Sequence, residues 1–233
     1  MMKKLALLCA LGCFVQSAAA ADIDLANLAN AQADFKALSE DFGSALSYKA
    51  VIPAEPLGIT GFDLGLEVSS TEAKSLAKVT NTKDTALIVP KLHVHKGLPL
   101  GIDVGAFYSA VANITLYGGE LRYAILEGGV AMPALAIRGA VSRLTGVDQF
   151  SFSTRSADIS ISKGFAMFTP YAGVGNVWVD SDPGTTPGLT KESLQQTKTF
   201  VGANLNFGLM NFALEYDKTG KAASYSAKLG FRF

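Results

Sequence analysis

The sequence predicts an all-β fold: an antiparallel transmembrane β-barrel of about ten strands, with twelve as the alternative, and an amphipathic N-terminal helix in or against the lumen. Three observations predict it. From Ile59 onward the 233-residue chain reads as period-two segments broken by turn residues, each about the ~9–11 residues that a tilted strand needs to cross a bilayer. The connections fall into two alternating classes, one tight ("HKGLP", "LEGG", "SKGF", "FGLMN") and one more variable that includes two long members, 70–85 and 180–197. The chain ends in "YSAKLGFRF", with apolar residues at Tyr225, Ala227, Leu229, Phe231 and Phe233 and polar or small ones between. Loops sorted by side are expected of a membrane barrel with short turns on one face and longer loops on the other. A secreted β-sandwich is the competing reading, because burying one face gives the same alternation.

Residues 1–21 read as a signal peptide. A basic start at Lys3 and Lys4 precedes an apolar stretch, Leu5 to Val15, and then an A-x-A pattern at Ala18–Ala20 or Ala19–Ala21. The apolar run is roughly half the ~20 residues of a spanning helix, which argues against an anchor. Cys9 and Cys13 both fall in this segment, so the expected mature chain has no disulfide and no thiol chemistry. Of 20 basic and 20 acidic residues, losing Lys3 and Lys4 leaves 18 and 20, a net charge of −2. No basic block points to a nucleic-acid partner.

Residues 22–58 read as a helix and a plug-like segment. Leu25, Leu28, Phe35, Leu38 and Phe42 share one helical face. Asp22 or Asp24 can cap its start, and Gly43 suits its stop. A Pro-containing stretch, "SALSYKAVIPAEPLG", follows.

The barrel is expected over 59–233, with strands at 59–69, 86–95, 100–109, 116–126, 130–142, 150–162, 168–179, 199–207, 211–217 and 223–233. Phe62, Leu64, Leu66 and Val68 form the apolar face of the first strand, and Asp63, Gly65 and Glu67 the other. The strand at 168–179 has no clear register. A strand-like piece at 45–51, "ALSYKAV", is what keeps twelve strands open.

The terminal "YSAKLGFRF" resembles the C-terminal strand of Gram-negative outer-membrane proteins, which ends in Phe and carries aromatic or apolar residues at alternate positions upstream. Tyr225, Phe231 and Phe233 match it. The resemblance implies an outer-membrane location in a Gram-negative bacterium and reading by the barrel-assembly machinery. The helix followed by "SAL-Y---PAEPLG" resembles the N-terminal hatch of the long-chain fatty-acid transporter class of barrels, with "IPA" at Ile52–Ala54 where that class has Asn-Pro-Ala. That resemblance implies a lumenal plug.

With apolar faces toward lipid, the lumen receives Asp63, Glu67, Asp103, Glu120, Asp158, Glu215 and Asp217, the cations Lys91, Arg122, Arg138, Lys228 and Arg232, and His93, His95, Asn204 and Asn206. Seven acids against five bases suit ion-paired filling better than an ion-selective pore. His93 and His95, the only histidines, lie on one strand face. Such a pair serves a metal with Asp103 or Glu67 as third ligand, a base for Ser109, or a hydrogen-bonded structural pair, the last being the expected role. No metal, cofactor or catalytic motif is expected. The expected partners are membrane lipid, the assembly machinery and a small apolar ligand. The function this favours is binding or passing that molecule. The alternatives are a structural or surface barrel without transport and a lipid-modifying barrel enzyme.

Overall fold

The computed structural model describes residues 25, 28, 31–76, 85–129, 131–147 and 150–233. The segment read as a signal peptide, and the capping acids Asp22 and Asp24, lie outside them.

Ten strands close into one antiparallel barrel, each paired with its neighbours in sequence: β1 (Phe62–Glu72), β2 (Ala86–Gly97), β3 (Ile102–Val111), β4 (Ile114–Glu127), β5 (Ala134–Thr145), β6 (Ser151–Ser162), β7 (Phe168–Asp182), β8 (Glu192–Phe207), β9 (Met210–Thr219) and β10 (Ala222–Arg232). Closure leaves no open sheet edge, the condition for strands in a bilayer. The seam joins β10 to β1 from Asp63↔Arg232 to Thr71↔Ser224. Phe62 N donates to Phe233 O (2.8 Å) and Phe233 N to Phe62 O (3.0 Å), with the two rings 5.9 Å apart. The aromatic at position 233 is therefore part of the seam.

The strands alternate buried and exposed residues, and across the middle of the barrel the exposed set is apolar. At one end the outward belt is edged by Tyr108, Tyr117, Trp178, Tyr216 and Tyr225, and at the other by Tyr123, Phe168, Phe207, Phe212, Phe231 and Phe233. Tyr225 and Phe233 lie eight residues apart on this face, about 26 Å of strand before tilt. Membrane barrels carry an apolar band of ~25 Å between two such aromatic girdles. The Phe-rich edge is the turn end, and both β1 and β10 meet it. The loop end carries the connections 73–85 and 183–191.

Three expectations change. Residues 45–51 form no strand; they run inside the barrel, so the count is ten. Tight connections occur at both ends, since two-residue turns at 112–113 and 220–221 sit on the loop end. The long connection 180–197 is half strand, because β7 runs to Asp182 and β8 begins at Glu192. Its outward residues there, Ser193, Gln195 and Thr197, are polar, which hid the strand from a search for an apolar face.

The helix, α1 (Ala31–Leu46), lies in the loop half of the lumen. Ala, Leu, Lys, Gln and Glu favour it, and Asp34 in its first turn suits the helix dipole. Phe35, Leu38, Phe42, Ala45 and Leu46 are buried. Gly43 does not end the helix, which continues to Leu46. It allows close packing: a Cβ there would clash with Gln196 Oε1 and meet Val179 Cγ2 at 2.6 Å. Gly43→Leu is therefore expected to push α1 off the wall, costing about 1–3 kcal/mol. Proteolysis within 31–46 should accelerate while the barrel stays intact on gels.

Candidate functional site

The lumen is divided by height. The turn half is crossed by a network of buried charges. Lys228 Nζ donates to Asp63 Oδ1 (2.8 Å), and His95 lies 3.8 Å from Asp63 and 3.5 Å from Glu120. Arg138 bridges Glu120 (3.4 Å) and Asp158 (2.9 Å) and stacks its guanidinium 5.4 Å from the Phe200 ring. Arg122 pairs with Asp103, Lys91 with Glu67 (3.1 Å), and His93 with the other Glu67 oxygen. Tyr171 Oη donates to Glu215 (3.0 Å). Asn204 and Asn206 both accept from Asn211 Nδ2.

The candidate residues on the wall thus face inward together. Arg232 does too, though it is only partly covered. Two cations escaped the sequence reading, Lys198 on the hidden part of β8 and Lys49 on the plug. With them, the seven carboxylates of the expectation meet seven cations. The histidine rings stack 5.7 Å apart. Both are engaged with carboxylates; of the two suggested third ligands, Glu67 pairs with Lys91 and His93, and Asp103 is held by Arg122 and by Leu57 N (3.1 Å). Neither ring hydrogen-bonds Ser109 among the described residues. Nor do any three His, Cys, Asp or Glu side chains there gather as a metal site.

The loop half has two sectors. On β8, β9, β10 and β1 the wall is polar or small, with Gln196, Lys198, Asp217, Thr219, Ser224, Ser226, Ser69 and Thr71 buried. From β3 to β7 it carries the apolar side chains, Phe107, Leu116, Leu144, Phe152, Val177 and Val179, with Ser142, Thr154 and Ser181 among them, all buried. Inward apolar residues explain why β7 had no clear register, since "VWV" at 177–179 is apolar on both faces. That doubled apolarity was the signal in the sequence for a lumen packed against something greasy.

The occupant is the N-terminal segment. Phe42 packs edge-on to Phe150 (5.7 Å) and Phe152 (6.0 Å), and Phe35 to Phe150 (6.1 Å). Tyr48 lies against Phe107 (5.3 Å), with its hydroxyl 3.1 Å from His95 Nε2. Polar contacts come from both sectors. Ser39 Oγ donates to Ser181 (2.9 Å), Ser142 Oγ to Leu46 O (2.7 Å), and Lys198 Nζ to Tyr48 O (3.0 Å). Lys49 Nζ donates to Asp217 (2.6 Å) and Ser224 (3.2 Å). Toward the turn end Arg122 donates to Pro53 O, and Glu55 N to Ser162 Oγ (3.2 Å). Val51, fully buried, takes a left-handed φ of 49°, a strained setting for a β-branched residue.

Ser75 N, beyond the end of β1, donates to Asp41 Oδ2 (2.7 Å). Burial pushes the Asp41 carboxyl above its ordinary value of 3.8, against the pull of that hydrogen bond. A carboxyl raised in this way supports docking fully below its ordinary value, and the support is lost as pH rises through the raised one. Asp41→Asn keeps an acceptor without the charge. It is expected to tighten α1 at neutral pH by less than about 1 kcal/mol, and unfolding midpoints at acid and neutral pH should then converge.

Neither a family model nor a curated protein matches the chain. Solved structures match at low identity. A loop-deletion form of OmpT, an outer membrane protein of Vibrio cholerae, is 12% identical with a TM-score of 0.34, over 63% of this chain and 54% of that one. The chain thus spans about half the length of that protein. The KdgM porin is 8% identical with a TM-score of 0.39, over 73% of this chain and 99% of that one. OprG from Pseudomonas aeruginosa is 9% identical with a TM-score of 0.36, over 78% and 99%. Likeness of this degree adds nothing to the geometry; the closed ten-strand barrel stands on its own strand pairing. These matches do not support the resemblance to the fatty-acid transporter class.

Proposed function

We propose that the protein is an outer-membrane barrel of a Gram-negative cell, closed at rest by its own N-terminal segment, which takes up a small apolar or amphipathic molecule in the loop half of its lumen when α1 withdraws. In this reading residues 1–21 direct export, and Tyr225, Phe231 and Phe233 are read during assembly. The outward apolar belt between two aromatic girdles supports the membrane location. The observation that carries the ligand class is the apolar wall sector of Phe107, Leu116, Leu144, Phe152, Val177 and Val179. A water-filled lumen has no use for it, and α1 covers it as a ligand would. The opposite, polar sector holds the plug by hydrogen bonds that water can replace and by the buried Lys49–Asp217 pair, which is the contact that withdrawal must break on that side.

The test is binding of a naphthylamine probe to barrels in lipid nanodiscs, with and without residues 22–58. The plugless barrel should bind it, and Phe152→Asn in that background should abolish most of the binding. Equal binding by both barrels, or none by either, contradicts the reading. A structural barrel without transport is the second reading. It is favoured by the near-complete burial of Tyr48, Lys49, Ala50 and Val51, which pack like a core.

A further inference from the structure

The direction of the N-terminal segment has a consequence for the outer face. The plug does not enter the lumen from the side where β1 begins. The contacts of its two ends lie at opposite ends of the barrel. Gln32, in the first turn of α1, exchanges hydrogen bonds with the loop-end connection: its Nε2 donates to Thr190 O (3.3 Å), and its Oε1 accepts from Thr190 N (2.8 Å). Ser39 then meets Ser181 near the loop end of β7, and Leu46 meets Ser142 in the loop half of β5. Pro53 meets Arg122 on the turn-ward part of β4. Glu55 and Leu57 meet Ser162 and Asp103, the last residue of β6 and the second of β3, both at the turn end. Only there does the chain enter β1. The first turns of α1 open onto the loop end: Ala33 and Lys36 are exposed, and Glu40 and Asp41 line a cleft of about 250 Å³ with Lys74, Ser75 and Lys221.

We infer that the barrel carries the head of its own chain through its lumen and presents it on the outer face, so that the loop-end surface is built jointly by the connection 183–191 and the first turns of α1. The inference rests on the membrane reading above, which makes the loop end the outer one. A helix ~10–12 Å across with its side chains, its rings packed against Phe150 and Phe152, does not thread through a finished bore. The segment is enclosed as the seam between β1 and β10 closes.

Single cysteines test this, because Cys9 and Cys13 lie within the expected signal peptide. Ala33→Cys and Lys36→Cys are placed in the full chain, with Thr185→Cys in the loop-end connection and Met132→Cys in a turn-end one as references. Intact cells are treated with a membrane-impermeant maleimide, before and after permeabilisation. The expected result is that Ala33→Cys or Lys36→Cys labels in intact cells alongside Thr185→Cys, while Met132→Cys labels only after permeabilisation. Labelling of both helix sites only after permeabilisation, or in neither condition, overturns the inference. If Thr185→Cys itself needs permeabilisation, the orientation has failed, and the inference fails with it for a separate and visible reason.

Discussion

Lys49→Ala is expected to destabilise the refolded barrel by about 3–5 kcal/mol, measured by urea unfolding in lipid. Lys49 and Asp217 are both fully buried, 2.6 Å apart. Removing the ammonium leaves a buried carboxylate whose remaining close partner is the Thr219 hydroxyl (3.2 Å). The nearby cations Lys198 and Lys91 are already committed, to Tyr48 O and to Glu67. The penalty is that of an uncompensated charge and not the net worth of the pair. The double variant Lys49→Met with Asp217→Leu should therefore recover most of the loss. A single-variant loss under about 1 kcal/mol, the size expected of an exposed pair, contradicts the burial described above.

Phe42→Ala is expected to cost a similar ~3–5 kcal/mol, the range for truncating a buried phenylalanine, but at a different place. Phe42 is the residue of α1 that touches both Phe150 and Phe152, so its loss leaves a cavity between plug and apolar sector. The effect should be local. Hydrogen exchange across 31–46 should speed up strongly, while amides of β4 through β9 keep their protection. The same variant should bind the naphthylamine probe without any deletion, because the sector it uncovers is the proposed binding surface. Uniform loss of protection around the barrel would mean that α1 and the wall unfold as one unit, which favours the structural reading.

The outward face was legible in the sequence because lipid accepts only apolar side chains over a fixed length of strand. Phe62, Leu64, Leu66 and Val68 therefore announced β1, and the inward charges followed by complement. Legibility failed wherever that demand was absent. Above the belt, Ser193, Gln195 and Thr197 face water, so the upper part of β8, and Lys198 with it, read as loop. On β7 the inward face is apolar as well, since Val177 and Val179 pack toward the plug. Within the plug, Gly43 looked like a helix stop when its role is clearance for Val179 and Gln196. The pairing of Lys49 with Asp217 spans 168 residues of sequence, and no local pattern encodes it. The direction of α1 through the lumen is likewise a property of the folded chain alone.

The central claim, that the N-terminal segment is what closes this barrel, is tested most directly by planar-bilayer conductance of the chain from residue 22 beside the chain from residue 59. The expected result is silence from the first and a steady current from the second. Silence from both would mean that the charged side chains of the turn half close the bore by themselves, and the plug reading would be wrong.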